Sequence, residues 1–358
     1  METIIPTNAS CFVLPNLFKI TSPVFELREN PLQAQADERA IEWFRRFGAC
    51  DTETMNQFLS KGRFDILAGL GFPDADLQHL ETCTMWLMWG FCLDDFTDSD
   101  WQRDPDTVQA EHQNTHAILY DADAPQPTHP WAGMLWDILR RIRATATANN
   151  YKRYAACFLS FCQSLRPLSF VRAYLEWSQA EVKQSKNRSL DYLPTVQEYI
   201  TLRRSTYAGN YFATMIEYAG NFKIPPDAIE DPALVSMSNA LIDIMAWTND
   251  LCSLQKEYNN GDYHNLVVIV KHYENCTLQQ AVDKVVGLTD RRAKEYMDMK
   301  AKLPSFGAEV DREVSQYFKA FENYVQGTIM WCYLCPRYFS GFEAPVERDS
   351  LTIKLDMH

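Results

Sequence analysis

A helical repeat of apolar residues runs through almost the whole chain, and it constrains the fold more than any other feature of the sequence. Apolar side chains recur three and four positions apart, as in Ala40, Trp43 and Phe44, which is the spacing of one face of an α-helix. Strand-like alternation is nearly absent, and the one run rich in β-branched residues, 266–270, is ambiguous. Clusters of proline, glycine and asparagine divide the pattern into about ten helices. The sequence therefore predicts an all-α protein.

The helical pattern continues without a composition shift, a Gly/Ser linker or an internal repeat that would separate two domains. A length of 358 residues favours two domains at about 150 residues each, but the uninterrupted pattern favours one. We expect an irregular N-terminal segment at 1–30, a single α-helical domain at 31–340 and a C-terminal tail at 341–358. Residues 99–130 contain four prolines and many polar side chains, so they predict a loop region with at most one short helix.

The charge balance excludes several classes of partner. Asp and Glu total 47 and Lys and Arg total 34, which gives a formal net charge of −13. Nucleic acids and anionic lipids select for clustered Lys and Arg, so neither is expected to bind. The longest apolar runs fall short of the ~18–20 residues that a membrane span needs, and the N-terminus lacks the basic and apolar regions of a secretory signal. We therefore expect a cytoplasmic protein without stable membrane insertion, either a monomer or a homodimer.

A cluster of acidic residues follows one of the most apolar helical stretches of the chain. The cluster contains Asp94, Asp95, Asp98 and Asp100. Asp94 and Asp98 are four positions apart, so on a helix they lie on the same face and repel each other. A helix C-terminus also disfavours anions, and a hard divalent cation with oxygen ligands would offset both effects. A solvated helix end is the alternative explanation for an isolated DDxxD motif.

A second polar stripe lies near the end of a long predicted helix further along the chain. Asn249, Ser253 and Glu257 are spaced at i, i+4 and i+8, so they align on one helix face. An amide oxygen, a hydroxyl and a carboxylate in one line form a ligand set suited to Mg²⁺. Lys256 lies beside this stripe, where its ammonium group could meet a metal-bound anion. The alternative is a solvated polar helix face.

Together these motifs resemble those of the class I terpene synthases of the microbial type. DDxxD followed by NDxxSxxKE in an all-α chain is the first match. Arg203, with Gly209 after it, resembles the family's diphosphate-sensing arginine ahead of a helix break. Arg337-Tyr338 resembles the C-terminal Arg-Tyr pair, with Trp331 six residues before it. Since the matches occur in the family's order, the resemblance implies a single-domain helical bundle around a central active-site cavity.

The resemblance also implies an activity, the Mg²⁺-dependent ionisation and cyclisation of a prenyl diphosphate. Farnesyl diphosphate would give a sesquiterpene hydrocarbon or alcohol, so the enzyme would be a carbon–oxygen lyase whose partners are its substrate and the diphosphate product. The expected ligands of a cluster of about three Mg²⁺ ions are Asp94, Asp95, Asp98, Asn249, Ser253 and Glu257. The expected diphosphate contacts are Arg203, Lys256, Arg337 and Tyr338. Arg204 is the alternative to Arg203, because neighbouring residues point about 100° apart on a helix.

The cation formed by such an ionisation needs an apolar pocket. Aromatic rings stabilise a cation through their π faces, and exclusion of water prevents its early capture. Phe91, one helical turn before Asp94, is the first candidate for such a ring, and Trp331 is the second. Tyr207 and Tyr211 are further candidates, but ordinary core packing explains most aromatic residues of the chain.

Two other activities stay open at this point. A chain-elongating prenyltransferase would normally carry a second DDxxD where this chain has Asn249-Asp250. A non-catalytic helical protein could use the acidic clusters only to bind divalent ions. Cyclisation initiated by protonation is not expected, because the chain lacks a DxDD motif.

Overall fold

The computed structural model describes residues 11–97, 101–120, 125–146 and 170–355, and helices predominate within these ranges. Their bounds in chain order are α1 Leu17–Thr21, α2 Gln33–Phe47, α3 Thr52–Gly62, α4 Phe64–Gly71, α5 Leu77–Thr97, α6 Pro105–Tyr120, α7 Pro130–Thr145, α8 Phe170–Ser189, α9 Val196–Thr206, α10 Gly209–Ala219, α11 Pro226–Ile229, α12 Pro232–Asn259, α13 Leu266–Tyr273, α14 Leu278–Lys300, α15 Ala308–Leu334 and α16 Pro336–Phe339. A 3₁₀ turn covers Pro345–Glu347, and two strands, β1 Cys11–Pro15 and β2 Ser350–Lys354, pair with each other. The all-α fold predicted from the periodicity is thereby confirmed. No helix in the described ranges is long and apolar enough to cross a bilayer.

Three long helices, α5, α12 and α15, form the centre of the bundle. Every residue of α5 from His79 to Trp89 is buried, so this half of the helix is covered on all sides. The helices α2 and α7 pack against α5, α14 packs against α12, and α4 packs against α15. The short helix α10 contacts all three central helices. This arrangement leaves space between the central helices that α10 and its neighbours enclose.

Two helix breaks redirect the chain near this space. The helical pattern of the sequence predicts one continuous helix over 52–67. That prediction is wrong, because the stretch is divided into α3 and α4 at Arg63, whose φ of 45° is left-handed. The break expected at Gly209 falls at Ala208, which has a φ of 58°. Gly209 serves a different purpose, because a Cβ atom there would lie 2.3 Å from Ile242. Glycine therefore lets α10 approach α12 closely.

Helix α6 lies in a region where the sequence predicts mainly loop. The helix has 16 residues, and the prediction was wrong because several of the side chains that it buries are polar. His112 and Thr115 are 2% and 0% exposed. Both contact the hydroxyl of Tyr174, with His112 Nδ1 3.1 Å from that oxygen. Burial also lowers the pKa of His112 to about 3, so this ring is neutral at physiological pH.

An antiparallel ribbon of β1 and β2 joins the two ends of the described chain. Phe12 lies opposite Ile353 and Leu14 lies opposite Leu351, and all four side chains are buried. The N-terminal segment was expected to be irregular, so β1 departs from that expectation, and β2 lies in the predicted C-terminal tail. A strand of five residues gives too short an alternation to be identified when its partner lies at the other end of the chain.

The ribbon gives a first testable prediction. Replacing Leu351 by Ala is expected to lower the free energy of unfolding by about 2 to 3 kcal/mol, because the truncation leaves a cavity against the core. Thr352, on the exposed face of the same strand, provides the matched control. Thr352→Ala is expected to cost less than about 1 kcal/mol. Urea unfolding of both variants measures the difference, and equal losses would show that the buried face of the ribbon does not stabilise the fold.

Candidate active site

A deep cavity lies between α5, α12 and α15, and residues of α8, α9 and α10 complete its wall. The space within the cavity, together with the open solvent at its mouth, amounts to about 1000 Å³. Polar residues gather where α5 and α12 end and where α16 begins. We call this group the polar end, and it contains Asp94, Arg203, Asn249, Ser253, Lys256, Glu257, Arg337 and Tyr338.

The acidic cluster in the last turn of α5 and just after it divides between two environments. Asp94 is half-buried and lines the cavity. Asp95 faces the guanidinium of Arg337, which donates from Nη1 to Asp95 Oδ2 at 2.8 Å and also contacts the second carboxylate oxygen. Lys256 Nζ lies 3.7 Å from Asp95. Asp98 lies outside the described residues.

The ion pairs of Asp95 decide its charge state. Burial alone would raise the pKa of Asp95, but Arg337 and Lys256 hold it below its ordinary value. Asp95 therefore stays ionised and holds these two cations beside the cavity. Asp95, which does not line the cavity, thus lies beside the polar end as the partner of two predicted diphosphate contacts.

The second polar stripe, on α12, points into the same cavity as Asp94. Asn249 Oδ1 accepts a hydrogen bond from Arg203 Nη2 at 2.8 Å, and Asn249 Nδ2 donates to the hydroxyl of Tyr338 at 3.2 Å. Ser253 Oγ donates to the carbonyl of Asn249 at 2.8 Å, which leaves its lone pairs available. The predicted alignment on one helix face therefore brings these oxygens together at the polar end.

Glu257 ends this stripe in a half-buried position close to other carboxylates. Asn265 Nδ2 donates to Glu257 Oε2 at 2.8 Å. Burial, with the nearby carboxylates of Asp250 and Asp262, raises the pKa of Glu257 to about 7. A carboxylate in such surroundings is stabilised by a neighbouring cation.

The donor set of the polar end fits a hard divalent cation. Among the described residues no three His, Cys, Asp or Glu side chains cluster as a metal site by themselves. The neutral oxygens of Asn249 and Ser253 would therefore have to complete any ligand set with Asp94 and Glu257. Oxygen donors of this kind suit Mg²⁺ or Ca²⁺ rather than Zn²⁺.

The two adjacent arginines of α9 have different partners. Arg203 lines the cavity, and its guanidinium donates to Asp250 and Asn249. Arg204 instead donates from Nε and Nη2 to both oxygens of Asp243, at 2.7 and 2.8 Å. Arg292 shares that carboxylate. The geometry therefore favours Arg203 for contact with a ligand and gives Arg204 a structural ion pair.

Aromatic side chains form the cavity wall next to the polar end. The ring of Phe91 lies 5.4 Å from that of Trp331, and Trp331 lies 5.6 Å from Tyr338. The guanidinium of Arg337 lies over the Phe91 ring at 5.5 Å. Phe91 and Trp331, the two rings singled out in the sequence, thus line the cavity together, as does Tyr207 of the helix break.

Several lining residues were missed in the sequence. Trp86 and Gly90 precede Asp94 at steps of four on α5, so the same helical period that aligns Asn249 with Ser253 could have found Trp86. Arg188 and Asp262 form a buried ion pair at 2.6 Å in the cavity wall. No local pattern predicts that pair, because its members come from α8 and from the loop after α12.

Comparisons with known proteins agree with this geometry. A sequence model described as "Terpene synthase family 2, C-terminal metal binding" matches residues 85–295, which is more than half of the chain. The chain is 26% identical to germacrene A synthase of Nostoc punctiforme over 305 residues, covering 84% of this chain and 89% of that one. It is 27% identical to sesquiterpene synthase 3 of Postia placenta over 356 residues, covering 97% of this chain and 89% of that one.

Solved structures show the same architecture. The crystal structure of germacradien-4-ol synthase from Streptomyces citricolor superposes with a TM-score of 0.71 at 23% identity, covering 86% of this chain and 96% of that one. This likeness supports the fold. The family match describes a metal-binding domain, and the matched segment contains both Asp94 and the stripe of Asn249, Ser253 and Glu257. The chain therefore belongs to terpene synthase family 2 and is a class I terpene synthase of the microbial type.

Proposed function

We propose that this enzyme ionises and cyclises farnesyl diphosphate with the help of Mg²⁺, releasing diphosphate and a sesquiterpene, and is thus a carbon–oxygen lyase. The observation that carries the proposal is the meeting of two oxygen-rich arms at one end of an aromatic cavity. Asp94 supplies the first arm, and Asn249, Ser253 and Glu257 supply the second. The relatives named as sesquiterpene synthases support a substrate of fifteen carbons.

The polar end would bind the diphosphate group. Mg²⁺ held by the oxygens of Asp94, Asn249, Ser253 and Glu257 would neutralise the negative charge of the leaving group, so that the C–O bond ionises without a proton donor. Arg203 would add a guanidinium, which suits bidentate contact with phosphate oxygens.

Two further cations and a hydroxyl complete the proposed diphosphate site. Arg337 and Lys256 are held beside the cavity by Asp95, so their orientation is set before a ligand binds. The hydroxyl of Tyr338, which accepts from Asn249, keeps its own hydrogen for a phosphate oxygen. Preorganised donors of this kind stabilise charge that develops during ionisation.

The aromatic wall would receive the prenyl chain. Phe91 and Trp331 lie directly beyond the polar end, where the cation first forms, and their π faces would stabilise it. The apolar rings also keep bulk water away from the cation. These residues thereby separate ionisation, at the polar end, from ring closure, in the apolar part of the cavity.

Incubation with Mg²⁺ and farnesyl diphosphate tests the proposal. We expect diphosphate release together with a volatile hydrocarbon or alcohol in the headspace, and EDTA is expected to abolish both. A longer prenyl diphosphate would indicate chain elongation instead. Binding of divalent ions without diphosphate release would favour a non-catalytic protein. Geranyl and geranylgeranyl diphosphate in parallel reactions test the preference for chain length.

The neighbouring arginines of α9 give a matched pair of variants. Arg203→Lys is expected to lower turnover on the order of 100-fold, because an ammonium cannot replace two guanidinium donors at a developing charge. Arg204→Lys is expected to lower the thermal midpoint through its pair with Asp243 while turnover stays within a few-fold of wild type. Steady-state kinetics and thermal unfolding of both variants measure these effects. The reverse pattern would assign the diphosphate contact to Arg204.

A further inference from the structure

The end of the cavity opposite the polar end contains polar atoms that the proposed ionisation does not use. Trp86 lies eight residues before Asp94 on α5, which is about 12 Å along the axis at a rise of about 1.5 Å per residue. Tyr324 lies ten residues before Leu334, the last residue of α15, which is about 15 Å. We call the lining formed by Trp86, Phe212, Tyr324 and Thr328 the closed end.

Tyr324 brings a hydroxyl group into this apolar surrounding. Its side chain is 0% exposed, and its ring lies 5.1 Å from Phe72 and 5.3 Å from Phe212. Within the described residues, no hydrogen bond of good geometry reaches Tyr324 Oη, and the side chain of Thr328 is close enough to interact with it. The indole nitrogen of Trp86, whose ring lies 5.0 Å from that of Phe212, has no hydrogen-bond partner among the described residues either. Buried polar groups normally have a partner, which in proteins is often an ordered water molecule.

Thr328 adds a second hydroxyl one helical turn after Tyr324. The two residues are at i and i+4, so their side chains lie on the same face of α15, and both line the cavity. Thr328 Oγ1 donates its hydrogen to the backbone carbonyl of Tyr324 at 2.8 Å. Because the Thr328 hydroxyl already donates its hydrogen, it can only accept a further hydrogen bond, and a molecule in the cavity can supply one.

We propose that Tyr324 and Thr328 hold the water molecule that captures the cyclised cation, so that the main product is a sesquiterpene alcohol. This inference rests on the proposed function. The water donates its hydrogens to Tyr324 Oη and Thr328 Oγ1, which turns an oxygen lone pair toward the cavity. The closed end lies beyond Phe91 and Trp331, so this water faces the far part of the folded prenyl chain rather than the carbon that loses diphosphate.

The reaction balances without an oxidant or a reductant. Diphosphate leaves with the electron pair of the C–O bond, and the water oxygen then forms a new C–O bond to the cation. One O–H bond of that water breaks, its proton passes through the Tyr324 hydroxyl to solvent, and the released diphosphate takes up one proton from solvent. Prenyl diphosphate and water thus give an alcohol and protonated diphosphate.

The test is turnover of farnesyl diphosphate with Mg²⁺ in water enriched in ¹⁸O, with diphosphate release and product composition measured together. We expect a wild-type product that carries one ¹⁸O atom. Tyr324→Phe and Thr328→Val are each expected to lower the alcohol share, counted per diphosphate released, at least about fivefold, because each removes one hydrogen-bond partner of the water.

Two controls separate loss of the water from loss of shape. Thr328→Ser keeps the hydroxyl and is expected to retain the alcohol share that Thr328→Val loses. Thr289→Val is matched to Thr328→Val, because Thr289 is also buried and donates to a carbonyl four residues earlier, at 3.0 Å, but does not line the cavity. Its product composition is expected to equal that of the wild type.

The outcomes distinguish this inference from the proposed function. Diphosphate release with an unlabelled hydrocarbon as the main product overturns the inference and leaves the proposed function intact. An alcohol share that neither Tyr324→Phe nor Thr328→Val lowers also overturns it. No diphosphate release by the wild type overturns the proposed function, and the inference with it.

Discussion

Asn249→Ala is expected to lower kcat/KM for farnesyl diphosphate by about 1000-fold, since preorganised groups at a developing charge contribute effects of this size. The substitution removes a proposed metal ligand and two hydrogen bonds, those with Arg203 and Tyr338. The polar end would then lose both its metal affinity and the fixed position of two diphosphate contacts. Steady-state kinetics at saturating Mg²⁺ measure the loss, and far-UV circular dichroism is expected to show unchanged helicity.

Asn239→Ala is the matched control for this loss. Asn239 lies on the same helix, α12, but is not part of the cavity lining, so turnover is expected to stay within about twofold of wild type. Asp94→Ala, which removes the ligand of the other arm, is expected to match Asn249→Ala rather than the control. Unchanged product formation by Asn249→Ala or Asp94→Ala would remove that residue from the proposed metal site.

The residues of the two arms could be predicted from sequence because helical spacing alone determines which side chains align. Asn249, Ser253 and Glu257 need only the i, i+4, i+8 period to share a face. Asp94 could be identified from its position at the end of an apolar helix alone. Their convergence on one cavity followed from the family resemblance, since no local rule brings two helices together.

Tertiary partners could not be predicted in the same way. Asp95 pairs with Arg337, which lies 242 positions away, and that pair gives Asp95 an environment different from that of its neighbour Asp94. Arg203 and Arg204 look equivalent in the sequence until Asp243 is known to hold the second of them. Long-range pairs of this kind depend on the packing of whole helices.

Helix α6 shows a different limit of prediction from sequence. The sequence contains signals of a helix start, but the loop-like composition of the region outweighed them. Asp104 accepts from Thr107 N at 3.1 Å, and Pro105 occupies the first helical position, which together are typical of a helix start. The prolines further along and the polar composition suggested a loop instead. The buried hydrogen bonds of His112 and Thr115 to Tyr174 explain how a polar helix can still pack against the core.

Asp250→Ala is expected to lower the free energy of unfolding by about 3 to 5 kcal/mol, because it leaves the charge of Arg203 without its buried partner. Asp250 is 0% exposed and accepts three hydrogen bonds, two from α9 and one from the first residue of α13. The donors are Arg203 Nε at 2.9 Å, the Tyr199 hydroxyl at 2.8 Å and the backbone nitrogen of Leu266 at 3.0 Å. Urea unfolding measures the loss, which contrasts with the expected loss of turnover at nearly unchanged stability for the adjacent Asn249.

Asp290→Ala provides the comparison for Asp250→Ala. Asp290 pairs with Lys294 at 2.7 Å, but the two side chains are 45% and 71% exposed, and an exposed pair on one helix contributes about 0.5 kcal/mol or less. The difference between the two variants therefore measures the effect of burying the carboxylate among α9, α12 and α13. Similar stabilities for both variants would mean that Arg203 is held by Asn249 and by the ring of Tyr207, which lies 5.5 Å from its guanidinium, rather than by Asp250. In that case the diphosphate contact would have to be positioned from the cavity side, and Asn249→Ala would be expected to destabilise the fold as well as the reaction.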